Sequence, residues 1–284
     1  MIELSVAEAL DRAAELTDVS DSPRADIEML LCEVLDKPRS WLFTWPDKVL
    51  SAEQQMRFEQ LLMRRVQGTP IAHLLGYRDF WTLRLKVSPD TLIPRPDTET
   101  LVEQALALLP DQPARVADLG TGTGAIALAL ASERPQWQLV ATDLHPGAVS
   151  LARENAQACG LSNVEIRQGS WCEPLSGHFD MIVSNPPYID PDDPHLDQGD
   201  VRFEPLSALT AEEKGMADIR TIAEQARALL QPGGWLLFEH GYDQGELVRH
   251  LLQALGYVQV CTHRDLGDND RVTLGYWQGE SDAQ

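Results

Sequence analysis

From Arg115 onward, short apolar runs alternate with longer segments whose apolar residues recur every three or four positions. RVADLG (115–120), LVATD (139–143), VEIRQG (164–169), MIVSN (181–185), WLLFEH (235–240) and YVQVCTH (257–263) predict strands. Helix-like segments separate most of them, which predicts a mostly parallel sheet covered on both faces. RVTLGYW (271–277) follows so closely that it predicts an antiparallel strand at a sheet edge. Upstream, Leu4, Ala7 and Leu10 recur at helical spacing, Ser22-Pro23 precedes an apolar stretch from Ile27 to Leu35, and Ser51 with Gln54 makes a capping-box pattern before a helix running to about Val66. Between them lies a period-two pattern in which Phe80, Thr82, Arg84 and Lys86 alternate with Trp81, Leu83, Leu85 and Val87, predicting a strand in a hairpin linker. Pro94 and Pro96 then break the chain ahead of a helix near 98–109. The expected architecture is a helical domain (1–75), a β-hairpin linker (76–93) and an α/β domain (94–284).

Composition narrows the function. The 284 residues are 43% hydrophobic, enough for a sizeable core, and carry 44 acidic against 23 basic side chains for a net charge of −21. Such a field repels nucleic-acid phosphate, whose binding relies on Lys and Arg displacing counterions, so a protein or small-molecule substrate is expected and direct nucleic-acid binding is not. No apolar run is long enough for a membrane span, and MIELSVAEALDRAAEL lacks the basic start and apolar centre of a signal peptide; a soluble, cytoplasmic protein is expected. Cys32, Cys159, Cys172 and Cys261 lack the close pairing of a zinc site and read as buried structural thiols. The seven histidines show no metal spacing, and His240 and His263, after strands, read as satisfied polar groups.

Candidate chemistry begins at DLGTGTG (118–124), between the first core strand and a helix. Gly120, Gly122 and Gly124 permit a tight turn and a close approach of ligand to backbone. Their G-x-G-x-G spacing differs from the G-x-G-x-x-G of dinucleotide folds, so a ligand without a pyrophosphate fits better, although a plain strand-to-helix turn reads equally well. Asp143 ends the second core strand 19 residues after Gly124, where related folds place the carboxylate that holds ribose hydroxyls; its bland alternative is an N-cap for a helix starting near Pro146. In FDMIVSNPPY (179–188) a buried strand runs into Asn185-Pro186-Pro187-Tyr188, beyond the carboxyl end of the sheet, where ligands bind in such folds. That tetrapeptide suits an amide substrate. An amide nitrogen is a poor nucleophile because its lone pair is delocalised into the carbonyl. Acceptors at the Asn185 side-chain oxygen and the Pro186 carbonyl would hold its N–H bonds, while Tyr188 stacks on its plane and the prolines stiffen the loop. No strong base is then needed, and catalysis reduces to positioning and preorganised electrostatics.

These blocks, with PIAHLLGYRDFWTLRLKVSPDTLIPRPDTET, VRFEPLSAL, PGGWLLFEHGYDQGE and DNDRVTLG, make the chain resemble the bacterial peptide chain release factor glutamine methyltransferases of the Rossmann-like class, over nearly its full length. The resemblance implies a seven-stranded, mostly parallel sheet and S-adenosyl-L-methionine as cofactor. It also implies methyl transfer to the glutamine amide of the GGQ motif in class 1 release factors. By the same resemblance Gly120, Thr121, Gly122, Thr123, Gly124, Asp143, Trp171 and Asn185 would hold the cofactor. Asn185, Pro186, Pro187 and Tyr188 would hold the substrate, and the helical domain would help grip the release factor. Trp171 alone reads as readily as core packing, and Arg95, Asp97 and Glu99 suit either a pocket wall or a helix N-terminus. The tetrapeptide also occurs in amino-group methyltransferases of DNA and RNA. A nicotinamide enzyme or a non-catalytic adenosine binder could share the sheet.

Overall fold

In a computed structural model, which describes residues 3–279, Ser5 and Ser51 close capping boxes with Glu8 and Gln54 and so start the helices Val6–Asp11 and Ala52–Val66. Pro23 opens the helix Pro23–Leu35 at its first turn, without a side-chain cap from Ser22. Short helices Arg39–Thr44 and Ile71–Leu75 complete this bundle, whose core includes Ile27, Leu30, Leu31, Phe58 and Leu62. Burial of each such side chain is worth roughly 1.5–3 kcal/mol. Arg65 is 3% exposed and is fully engaged: it donates to Asp26 at 2.7 Å, to Asp200 at 2.9 Å and to the carbonyls of Val19, Gly68 and Thr69. Through Asp200 a distant segment joins this unit, which comprises Met1–Tyr77 together with Pro194–Phe203.

The second unit takes Arg78–Asp193 and Glu204–Gln284. A hairpin comes first, β1 (Tyr77–Phe80) and β2 (Leu83–Lys86). The single alternating strand expected across 80–87 is corrected here: Trp81 takes a φ of 55° and turns the chain between the two strands. The turn is held by the Trp81 backbone N–H donating to Glu99 and its indole N–H donating to Glu133. The bend switches the buried face: Phe80 and Leu85, from opposite sets of the alternation, fall into one core on either side of it.

Seven strands follow: β3 (Arg115–Leu119), β4 (Gln138–Asp143), β5 (Val164–Gln168), β6 (Phe179–Ser184), β7 (Leu230–Glu239), β8 (Val258–Arg264) and β9 (Asp270–Trp277). They form one sheet in the order β5-β4-β3-β6-β7-β9-β8, parallel from β5 to β7. β9 is antiparallel, as its short connection required, but it lies between β7 and β8 and not at the edge. Its residues explain the placement: Val272, Thr273 and Leu274 are at most 2% exposed and need cover on both sides. The edge falls to β8, where Cys261 is exposed. The expectation of four buried thiols therefore holds only for Cys172, with Cys32 and Cys159 half-buried.

Period two divides the central strands between two cores. Val116, Leu139, Met181 and Val183 pack under the helices Glu99–Leu108 and Ala125–Glu133, while Ala117, Leu119, Val140 and Ile182 face Ala217–Ala226 and Gly245–Ala254. The chain runs outward from β3 to β5 and then returns to β6 on the other side of β3. That reversal opens a crevice at the carboxyl ends of β3, β4 and β6. Among the described residues no helix is long and apolar enough to cross a membrane.

Candidate active site

The loop after β3 leaves the sheet with Gly120, Gly122 and Gly124 all at positive φ. Two carboxylates shape it. Asp118, fully buried, accepts from the Thr121 hydroxyl at 2.6 Å and the Ala127 N–H at 3.2 Å. Asp143, at the end of β4, accepts from the Gly122 N–H on one oxygen and from the His145 N–H on the other, both at 2.9 Å. The helix Pro146–Ala158 has His145 as its cap residue, so Asp143 ties the glycine turn to the residue that opens this helix. Each Asp143 oxygen keeps a further lone pair for a ligand.

The turn and Asp143 border a cavity of about 350 Å³, within the size range of small-molecule sites. Gly120, Thr121, Gly122, Thr123, Asp143, Trp171, Asn185 and Pro187 line it. Trp171 is held at a φ of 44° with its carbonyl accepting from Thr142, and its indole covers Gly120 so closely that a Cβ there would lie 2.9 Å from the ring. The buried hydroxyl of Thr91 also lines the cavity and has no protein partner, leaving a polar atom for a ligand. Of the three charged residues near Pro96, Arg95 reaches the cavity. Glu99 stands in the first turn of a helix, and Asp97 lies 3.9 Å from Arg271. Gly124, Pro186 and Tyr188 stay behind the lining; Gly124 starts the helix Ala125–Glu133 in the left-handed conformation, against Leu128 and Ala152.

The tetrapeptide after β6 is gripped from several directions. Asn185 donates its Nδ2 to the Thr98 hydroxyl at 3.3 Å, and Tyr188 donates its hydroxyl to Glu239 at 3.4 Å. The Tyr188 carbonyl accepts from Gln244 at 2.9 Å, and Gly215, at a φ of 79°, passes so near that a Cβ would lie 1.9 Å from that oxygen. Glu204, nearly fully buried, accepts from the Ile93 N–H and from Arg95 and so fixes the IPRP segment beside the cavity. Thr98, Glu204, Glu239 and Gln244 were not singled out from the sequence. All four lie inside blocks that the sequence does mark: Thr98 in IPRPDTET, Glu204 in VRFEPLSAL, and Glu239 and Gln244 in PGGWLLFEHGYDQGE.

The chain matches the family model of the PrmC N-terminal domain over residues 8–76 and that of the methyltransferase small domain over residues 97–199. A release factor glutamine methyltransferase from Aliivibrio fischeri is 54% identical over 280 residues, covering 97% of this chain and 99% of the relative. One from Escherichia coli is 57% identical over 271 residues, covering 95% and 98%. The chain belongs to the release factor glutamine methyltransferase family. A solved methyltransferase from Pyrococcus furiosus shares its fold at a TM-score of 0.54 and 19% identity, over 78% of this chain and all of that one.

In this methyltransferase two buried carboxyls sit under the site with their affinity for protons raised. Burial pushes Asp118 up to about 6 against the pull of Thr121 and Ala127, and pushes Glu239 up to about 7 against Thr98, Arg271 and Tyr188. The native state therefore binds these protons more tightly than the unfolded chain does. Stability is complete below the ordinary carboxylate range and falls as pH rises through the folded values. We expect the thermal midpoint to decline from about pH 4 to about pH 7, and Glu239→Gln to flatten part of that slope, by a free energy on the order of 3 kcal/mol at most. Calorimetric melting of both proteins across that range checks it; parallel slopes would reject the assignment. His240, fully buried, is held below its ordinary range by burial and is satisfied by the Gly241 carbonyl and the Thr273 hydroxyl, as its sequence position suggested.

Proposed function

We propose that this chain transfers a methyl group from S-adenosyl-L-methionine to the side-chain amide nitrogen of the GGQ glutamine in class 1 peptide chain release factors. The observation that carries the reading is the meeting of the Gly120–Thr123 turn, Asp143 and Asn185 on one cavity, in a chain of this family. The residues fit the cofactor: Asp143 would accept from ribose hydroxyls, Trp171 would flank the adenine, and the Gly120 turn would let the ligand approach the backbone. When bound, the cofactor supplies an electrophilic methyl group. Asn185 Oδ1 and the Pro186 carbonyl would accept the two amide N–H bonds of the substrate glutamine, and Tyr188 would stack on its plane. The hydroxyl of Tyr188, pushed upward by burial beside Glu239, remains protonated and serves as a donor, not as a base.

The net charge of −21 supports a protein substrate over nucleic acid. The helical domain, with exposed Phe43, Trp45, Met56 and Met63, is proposed to share in holding the release factor, because a single glutamine presents little surface. Cytoplasmic location follows from this substrate. Incubation with labelled cofactor and either a class 1 release factor or nucleic acid tests the reading. Label is expected in the factor alone, and label confined to nucleic acid would reject it.

A further inference from the structure

An apolar side chain left in water forfeits the free energy its burial would release, so several of them held on one face point to a surface that another molecule covers. Among the described residues of the second unit, the large apolar side chains more than half exposed are Leu144, Leu206, Tyr242, Leu247 and Leu266, at 52–104%. Their places in the chain are not scattered. Leu144 follows β4, Leu206 lies between β6 and the helix Ala217–Ala226, Tyr242 follows β7, Leu247 is in the first turn of the helix Gly245–Ala254, and Leu266 lies between β8 and β9. Because β9 is antiparallel to both β7 and β8, β8 runs parallel to the central strands. All five residues therefore stand at the carboxyl end of the sheet, the end that carries the cavity.

Three of the five share one braced stretch of that rim. Asp265 is buried at the start of the β8–β9 turn and accepts from the backbone N–H groups of Gly267 and Asn269, at 2.8 and 3.0 Å, and from Arg271 at 3.1 Å. The tip that bears the fully exposed Leu266 is therefore preorganised, and a partner that covers it does not have to order it. Arg271 also donates to the carbonyl of His240, two residues before Tyr242, at 3.2 Å, and lies 3.9 Å from Asp97, which adjoins the cavity-lining Arg95 and Thr98. Gln244, two residues after Tyr242, donates to the Tyr188 carbonyl at 2.9 Å. Gly245 packs so close to the turn that a Cβ there would lie 2.8 Å from Asp270, and Leu247 follows two residues on. Tyr242, Leu247 and Leu266 thus sit on segments fastened to one another and to the loop that holds Asn185.

The charges beside these residues set the chemistry of the partner. Asp243 and Glu246 are exposed next to Tyr242 and Leu247. The basic side chains nearby are engaged elsewhere, Arg249 with Asp270, Arg264 with Asp268 and Asp270, and Arg271 with Asp265 and Asp97. A second copy of the chain, docked by two-fold symmetry, would set Asp243 and Glu246 against their own images, with a charge of −21 on each molecule. A partner whose apolar side chains are flanked by Lys or Arg is complementary on both counts. We propose that Tyr242, Leu247 and Leu266 form a docking surface of the catalytic unit for the protein substrate, gripping an apolar and basic stretch outside the segment that carries the methylated glutamine. This rests on the reading of the substrate as a protein, and it uses residues other than the exposed ones of the helical domain.

The test is steady-state methylation of an intact class 1 release factor by wild type, by the triple variant Tyr242→Ser, Leu247→Ser, Leu266→Ser, and by the charge-reversed Asp243→Lys, Glu246→Lys. Cofactor affinity by calorimetry and oligomeric state by sedimentation are measured for each. All the replaced side chains are exposed, so both cores stay as they are. The triple variant is expected to raise KM for the factor about 10-fold or more, with kcat and cofactor affinity within about 2-fold of wild type. The charge-reversed variant should raise KM severalfold in low salt, and high salt should narrow its difference from wild type. An unchanged KM in the triple variant, or a fall in kcat at unchanged KM, would overturn the docking surface while leaving methyl transfer to the factor standing. An unchanged KM for the charge-reversed variant in low salt would overturn the basic character assigned to the partner. A wild type that sediments as a dimer, with the triple variant a monomer, would overturn the proposal in favour of a second copy. A wild type that leaves the factor unmethylated would reject the proposed function, and the docking surface with it.

Discussion

Asn185→Ala is expected to leave the protein folded and its cofactor affinity nearly intact while reducing methyl transfer by roughly 10²-fold or more, the usual consequence of losing one preorganised hydrogen bond in an active site. The side chain is half-buried, makes one hydrogen bond within the protein, and lies beyond the end of β6, so its removal opens little space in either core. Asn185→Asp separates geometry from charge. A carboxylate still accepts the substrate N–H, but it loses the Nδ2 donor to Thr98 and adds a negative charge where a neutral group stood. Partial activity at best is expected. Single-turnover rates with both variants saturated in cofactor check this, and a fully active alanine variant would refute the acceptor clamp.

Asp143→Ala should weaken S-adenosylmethionine binding by about 10²-fold, because two hydrogen bonds to a charged acceptor are lost at roughly 1.5–3 kcal/mol each, and part of that is recovered by water. The effect has two sources in one residue. The Gly122 N–H and the His145 N–H both lose their partner, so the glycine turn relaxes, and the remaining lone pairs are no longer available to a ribose. Asp143→Asn keeps one acceptor but turns an NH₂ group towards a backbone donor and should fall between wild type and alanine. Titration calorimetry measures all three; an alanine variant that binds like wild type would remove Asp143 from the site.

The sheet was legible because its strands are buried on both faces. RVADLG, LVATD and MIVSN have no competing helical period, and their ends at Leu119, Asp143 and Ser184 meet at the crevice that carries the site. Asn185, Asp143 and the glycine turn stood out for a related reason: they come at the carboxyl ends of buried parallel strands, where ligands bind in such folds. The errors arose where a local pattern was blind to a distant partner. Alternation across Trp81 reads as one strand because Leu83 and Leu85 alternate with exposed Thr82, Arg84 and Lys86 beyond the turn, which hides that the turn has switched the buried face relative to Phe80. RVTLGYW shows that it pairs antiparallel but not that it inserts between two strands. Thr98 and Glu239 escaped notice for the same reason. A threonine near a helix start and a glutamate closing a strand are ordinary in isolation, and their importance comes from partners 87 and 51 positions away.

The central claim is tested most directly by locating the methyl group. An intact class 1 release factor is incubated with the enzyme and S-adenosylmethionine, digested, and sequenced by tandem mass spectrometry. The account expects one added methyl group, on the side-chain amide of the GGQ glutamine, and none when Asn185→Ala replaces the wild-type enzyme over the same short interval. A methyl group on any other residue, or its appearance on the glutamine at an equal rate with Asn185→Ala, would contradict it.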